Sequence, residues 1–224
     1  MHTPTTLWPR FRLVWIVLPV LAVLLLGMVR ARDDDVEDAK FRSDAAKARP
    51  GVLDVAGDLA DGADAAKMEK ARARAKEVRK LHPLDAVMWQ LKLRDKGGLG
   101  VGATPGLLVP DGIEAKLIVL GGLRRPLTAN QLKAEQADLQ RMGEITRAVA
   151  VIARCYRPEV SGRGWVGLWS LICAVVWDVL SEDAEKNAQD FLDAVKSGDP
   201  KATQRASYYL SNSCTNCHSW CRDR

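Results

Sequence analysis

Apolar residues in the second half of this chain recur at steps of three and four, and no alternating strand pattern competes with them. A short segment from Asp111 to Leu120 carries Ile113, Leu117 and Leu120 on one side. Asp111 stands in the capping position after Pro110, and Gly121-Gly122 ends the segment. The next begins at Thr128, where Thr128-Ala-Asn-Gln131 matches a capping box, and runs to about Tyr156 ahead of Pro158. Its stripe is Leu132, Leu139, Met142, Ile145, Val149, Ile152 and Tyr156. A third runs from about Arg163 to Ser197, through Trp165, Leu168, Trp169, Ile172, Val176, Val179, Ala188, Phe191, Leu192 and Val195, and stops at Gly198. Asp199 then caps a fourth, with Pro200 in its first turn, where a missing N–H costs nothing. Short connections between the last three segments predict an all-α fold, an antiparallel up-and-down four-helix bundle over residues 111–224.

The first 110 residues read differently. An uncharged apolar run from Leu13 to Val29 follows Arg10 and Arg12, the pattern of an export signal. Residues 1–31 are therefore expected to be a signal peptide or a signal anchor. Val29-Arg30-Ala31 imitates a small-x-small cleavage site poorly, which favours an uncleaved anchor. The rest of the chain is then placed on the periplasmic side of a bacterial cytoplasmic membrane, anchored or secreted. Residues 32–110 form a charged spacer, a helix and a Gly/Pro-rich loop. From Arg32 to about Asp64 there is almost no large apolar side chain, so a spacer without a fold of its own is expected. Asp64 to Lys80 reads as a charged, solvated helix with a thin stripe of Ala65, Met68, Ala71, Ala75 and Val78. The stretch Lys96-Gly-Gly-Leu-Gly-Val-Gly102 lacks the Gly-Lys-Ser/Thr ending of a phosphate loop and reads as a flexible surface loop, with Pro105 and Pro110 beyond it.

Composition narrows the function classes. Charged residues at 27% and hydrophobic ones at 47% exclude wholesale disorder. The net charge of +5 is spread among interleaved acids and bases with few aromatics, so no nucleic-acid partner is expected.

Candidate chemistry concentrates near the C-terminus, in Cys214-Thr215-Asn216-Cys217-His218. C-x-x-C-H is the attachment sequence of a c-type haem. On a helix, positions i and i+3 share a face, so both sulfurs reach one porphyrin edge, and the adjacent imidazole supplies an axial nitrogen to the iron. Chance placement of five Cys and three His would give such a motif on the order of 0.001 times in a chain this long. The competing reading is a non-haem interaction module with a redox-active or zinc-binding Cys-x-x-Cys. Zinc wants four ligands, and a thioredoxin-like pair wants a βαβ setting. Helix lengths put His218 level with about Leu180 on the third segment and with Leu139 to Met142 on the second, which makes Met142 a candidate thioether ligand as well as an ordinary core residue. The remaining cysteines are Cys155, Cys173 and Cys221; by the same arithmetic any bridge joins Cys173 and Cys221.

The chain resembles the cytochrome c′ family, whose C-x-x-C-H-x-x-(Phe or Tyr)-Arg run lies in the last helix of a four-helix bundle. Here the run is Cys214-Thr-Asn-Cys217-His218-Ser-Trp-Cys221-Arg222. More narrowly, it is similar to exported planctomycete-type cytochrome c proteins that pair such a bundle with a Gly-rich stretch like 97–102 and a segment like Pro110 to Lys116. The resemblance implies one covalent haem c on Cys214 and Cys217, His218 as axial ligand and Arg222 flanking the proximal pocket. Cys221 departs from the pattern, standing where an aromatic is usual. Implied further are electron transfer with a redox partner protein, or binding of nitric oxide or carbon monoxide, without catalysis, and a possible homodimer.

Overall fold

Helices make up the regular structure, and among the described residues there is no strand. A computed structural model describes residues 38–60 and 64–221. The expected signal or anchor segment, and Arg222, lie outside the described residues. The chain divides after Phe41 into two compact units, and the account below concerns the second, Arg42–Arg224. The helices are α1 (38–59), α2 (Ala65–Leu81), α3 (Leu84–Met88), α4 (Ile113–Gly121), α5 (Ala129–Arg154), α6 (Trp165–Ser197) and α7 (Pro200–Cys221).

The last four match the expected segments because their end signals are physical. The Thr128 side chain accepts from the Gln131 N–H while Gln131 accepts from the Thr128 N–H, completing the capping box of α5. Gly198 closes α6 in the left-handed region, with φ at 69°. The Asp199 carboxylate then accepts from the N–H groups of Lys201 and Ala202 and starts α7.

Residues 38–59 depart from expectation: the presumed spacer is a helix. Ala45, Ala48, Val52, Val55, Ala56 and Leu59 recur at helical spacing, and all are buried. Small side chains let α1 and α2 approach closely. A methyl on Gly51 would come within 2.7 Å of Val78 Cγ2. The stripe of α2 is likewise no solvated face, since Ala71, Ala75 and Val78 are buried. Asp58 joins the pair from the side, 2.7 Å from Lys70 Nζ and 2.8 Å from Arg74 Nε. A hydrogen bond from Lys70 leads in holding its carboxyl below the ordinary carboxylate range, with Arg74 adding to it against the opposing effect of burial. The apolar residues of α1 and α2 enter the same core as Leu132, Leu139, Met142, Phe191 and Leu210.

Asp111 does not cap α4; Gly112 stands at the N-cap. Its carboxylate instead gathers the glycine-rich loop, accepting from Arg94 Nε at 2.8 Å, the Val101 N–H at 2.8 Å and the Gly106 N–H at 2.9 Å. The loop is thus held rather than loose. Burial works to raise the Asp111 carboxyl, but Arg94 and the two backbone donors outweigh it and hold it below the ordinary range. A folded-state value below the unfolded one gives stability that is complete above about pH 4 and fades as pH falls through the folded value. Asp111→Ala is expected to cost about 2 kcal/mol at neutral pH, from lost charge-assisted hydrogen bonds. It should also flatten the acid limb of stability, and urea denaturation of both proteins at pH 7 and pH 3 measures this.

Candidate functional site

Three contacts set the heights of the helices around the motif. Gln136 Nε2 donates to the Val195 carbonyl at 2.9 Å, placing residue 136 opposite the end of α6. Arg154 Nη1 lies 2.8 Å from Glu185 Oε2, so α5 and α6 run antiparallel. On the other side of α6, Asn187 Nδ2 donates to Ser213 Oγ at 2.8 Å, and Ser213 Oγ donates to Asp183. Ser213 of α7 and Arg154 of α5 therefore share one level. His218 lies five residues farther on, about 7 Å past it. That is where α5 has ended.

Helix α4 forms the other wall. It packs on α7 in the opposite sense, with Gly121 against Tyr208 and Glu114 and Leu117 beside Cys214. Gly121 is the close approach that permits this, because a methyl there would stand 2.8 Å from the Tyr208 Cα. Its N-terminal half leaves a small cleft of about 20 Å³, lined by Glu114, Leu117, Ile118, Ser211, Cys214 and Thr215.

Neither Cys214 nor Cys217 is in a disulfide, and both are half-buried, one turn apart on α7; His218 is half-buried beside them. The Cys214 thiol is pushed up to about 12, first by burial, then by the Glu114 carboxylate and by Cys217. It is therefore a neutral S–H at neutral pH. Thiol–disulfide exchange requires thiolate, which this setting opposes. Among the described residues no group of three or more His, Cys, Asp or Glu is arranged to hold a metal ion. For a haem, the donor set fits: two thiols on one face and an adjacent imidazole. At about 20 Å³ the cleft would admit no more of such a group than a small substituent, against the roughly 300–1,000 Å³ that encloses a whole small ligand.

Met142 is not brought to this site. It is 0% exposed, and its neighbour Gly143 packs on Phe191 and Leu192. Counting along α5, α6 and α7 separates it from His218 by roughly 20 Å. The length arithmetic misplaced it because it set the end of α5 level with the start of α6, whereas Arg154 stands opposite Glu185, well inside α6. Met142 is a core residue. Cys173 has a free thiol, and the side chain of Cys221 lies outside the described ones, as does Arg222. His82 ends α2, where its carbonyl accepts from the Tyr156 hydroxyl.

The sequence reading missed Glu114 and Ile118. Both flank the apolar stripe of α4, and Ile118, exposed on a helix whose other face is buried, was the available signal. Comparison with family models, with curated proteins and with solved structures finds no match.

Proposed function

We propose that the chain is a single-haem c-type cytochrome acting outside the cytoplasmic membrane, in electron transfer or in binding nitric oxide or carbon monoxide. The observation that carries the reading is Cys214, Cys217 and His218 on one turn of α7, the two cysteines half-buried and outside any disulfide, beside a cleft that Cys214 lines. Cys214 and Cys217 would hold the macrocycle through thioethers, each thiol adding its S–H across a vinyl group. His218 would hold the iron from one side. When bound, the haem supplies a one-electron couple and a site for diatomic ligands.

Helices α4 to α7 are assigned, in the same proposal, to an antiparallel four-helix bundle of cytochrome c′ type. The antiparallel pairs α5–α6, α6–α7 and α4–α7 support it, and the ion pair of Lys116 with Glu135 joins α4 to α5. What this chain's residues contribute is placement and shielding. Leu117 and Ile118 cover one side of Cys214, and Ser213, fixed by Asp183 and Asn187, sets the rotation of α7 that turns Cys214 toward α4. With Met142 remote, the thioether that the sequence offered for the far side of the iron is withdrawn. That favours a weakly held or vacant sixth position.

The test is a pyridine haemochrome spectrum of protein produced together with the haem-attachment machinery. A covalent c-type band is expected, and its absence ends the cytochrome reading. In the reduced protein, saturable binding of carbon monoxide is the result a vacant position requires.

A further inference from the structure

The first half of α6 is the largest apolar feature the fold leaves outside its core. Trp165, Val166, Leu168, Trp169, Leu171, Ile172, Val175 and Val179 are all exposed, Trp165 to 85%. Two facts of packing cause this. Helix α5 ends at Arg154, whose partner is Glu185, and Arg157 just beyond it pairs with Asp178, so the twelve or so residues of α6 before Trp177 run on past α5. Helix α7 ends at Cys221, eight residues beyond Ser213, which is level with Asp183 to Asn187. Among the described residues the tip of α6 has no helix beside it on either flank.

We propose that this segment, Trp165 to Val179, inserts into the acyl-headgroup boundary of a lipid bilayer bearing anionic lipids. At 100° per residue the eight exposed apolar side chains spread over about 220° of the helix circumference. A protein groove takes a single stripe at i, i+3, i+4 and i+7, and a second copy packed as a coiled coil takes a still narrower seam. Either would leave half the arc in water. A bilayer is the partner that covers an arc this wide. The remaining sector is small and already occupied: Ala174 is buried, and Ser170 Oγ accepts from the Ser161 N–H and donates to the Ser161 carbonyl.

Length decides the depth. From Trp165 to Trp177 no residue is charged, a stretch of about 20 Å, which is short of a bilayer span and in the range of interfacial segments. Its boundaries carry the matching chemistry. Arg163 is exposed just before it, and Trp165 and Trp169, exposed on the outward arc, are the side chains that settle at headgroup level. Asp178, held by Arg157 at 2.7 Å, marks the inner limit. The inference does not depend on the haem reading.

The experiment uses the full chain in vesicles of phosphatidylethanolamine and phosphatidylglycerol doped with a phospholipid that carries a photoactivatable diazirine in its acyl chain. Floated vesicles are irradiated and the adducts are mapped by mass spectrometry. Adducts between Trp165 and Val179 are expected. The variant Leu171→Glu/Val175→Glu alters only exposed positions and should retain its helical circular dichroism while adducts there fall by about tenfold. A chain that does not float, or that floats without adducts in this segment, overturns the proposal. Cross-linking through Cys173, which lies within the segment, separates the reasons: a disulfide dimer in place of lipid adducts assigns the surface to a second copy, and neither product assigns it to water.

Discussion

Serine at both Cys214 and Cys217 is expected to abolish covalent haem on this chain while leaving its helices in place. The substitution replaces sulfur by oxygen at half-buried positions on the last three turns of α7, remote from the Phe191 and Met142 core, so stability should change by about 1 kcal/mol or less. Attachment, in contrast, requires sulfur. On a denaturing gel the haem stain should disappear, and the covalent band should fall to background. The single variants are the more discriminating arm. With one sulfur left, one vinyl group stays conjugated to the ring, and the pyridine haemochrome band should move to longer wavelength. His218→Ala should keep both thioethers and lose the axial nitrogen, so that added imidazole restores the spectrum of the parent. Asn216→Ala, at an exposed position between the two cysteines and outside the cleft lining, serves as the neutral control. Full covalent haem in the double serine variant would remove these two residues from the site.

This region was legible in the sequence because the signals are local. A Cys-x-x-Cys-His run needs only a helix to be meaningful, and the helix announces itself through Asp199, Pro200 and the stripe leading to Leu210. The same holds for α5, whose capping box is written in Thr128 and Gln131, and for α6, which stops at Gly198. What local signals do not carry is lateral position. Two antiparallel helices slide past one another by whole turns without altering either pattern, and the contact of Gln136 with Val195 sets that slide. Met142 looked level with His218 only on the assumption that α5 ends level with the start of α6, and the pairing of Arg154 with Glu185 removes it.

Helix α1 was hidden for a different reason. Its buried face is Ala45, Ala48, Val52, Val55 and Ala56, which bury little area each and so resemble a spacer by composition. Their value lies in closeness, with Gly51 admitting Val78, and closeness is a property of two helices together. The exposed half of α6 shows the converse. Its composition reads as core, and only the ends of α5 and α7 reveal that none of the described helices stands beside it.

The joint between α4 and α5 carries the second large effect, because it is made by a buried charge. Lys116 Nζ lies 3.0 Å from Glu135 Oε2, with the lysine side chain only 7% exposed and the glutamate 21%. The pairing is one of charge rather than of a well-directed hydrogen bond, since Glu135 Oε2 finds no such partner in its buried setting. Glu135→Ala would leave an ammonium group out of water and without its counter-charge, and is expected to cost about 3–5 kcal/mol. Lys116→Met/Glu135→Leu removes both charges at similar volume and should lie close to the parent or above it, by about 1–4 kcal/mol. Urea midpoints of the parent, Lys116→Met, Glu135→Leu and Lys116→Met/Glu135→Leu close the cycle and isolate the coupling. The pair also bears on the site, because Lys116 sits between Glu114 and Leu117 of the cleft wall. Loosening α4 should therefore open Cys214 to a maleimide in the haem-free protein: faster labelling is expected for Glu135→Ala and the parental rate for the double variant. A Glu135→Ala variant within about 1 kcal/mol of the parent would mean that water already reaches Lys116, and that α4 is held on its neighbours by Ile113, Leu117 and Leu120 alone.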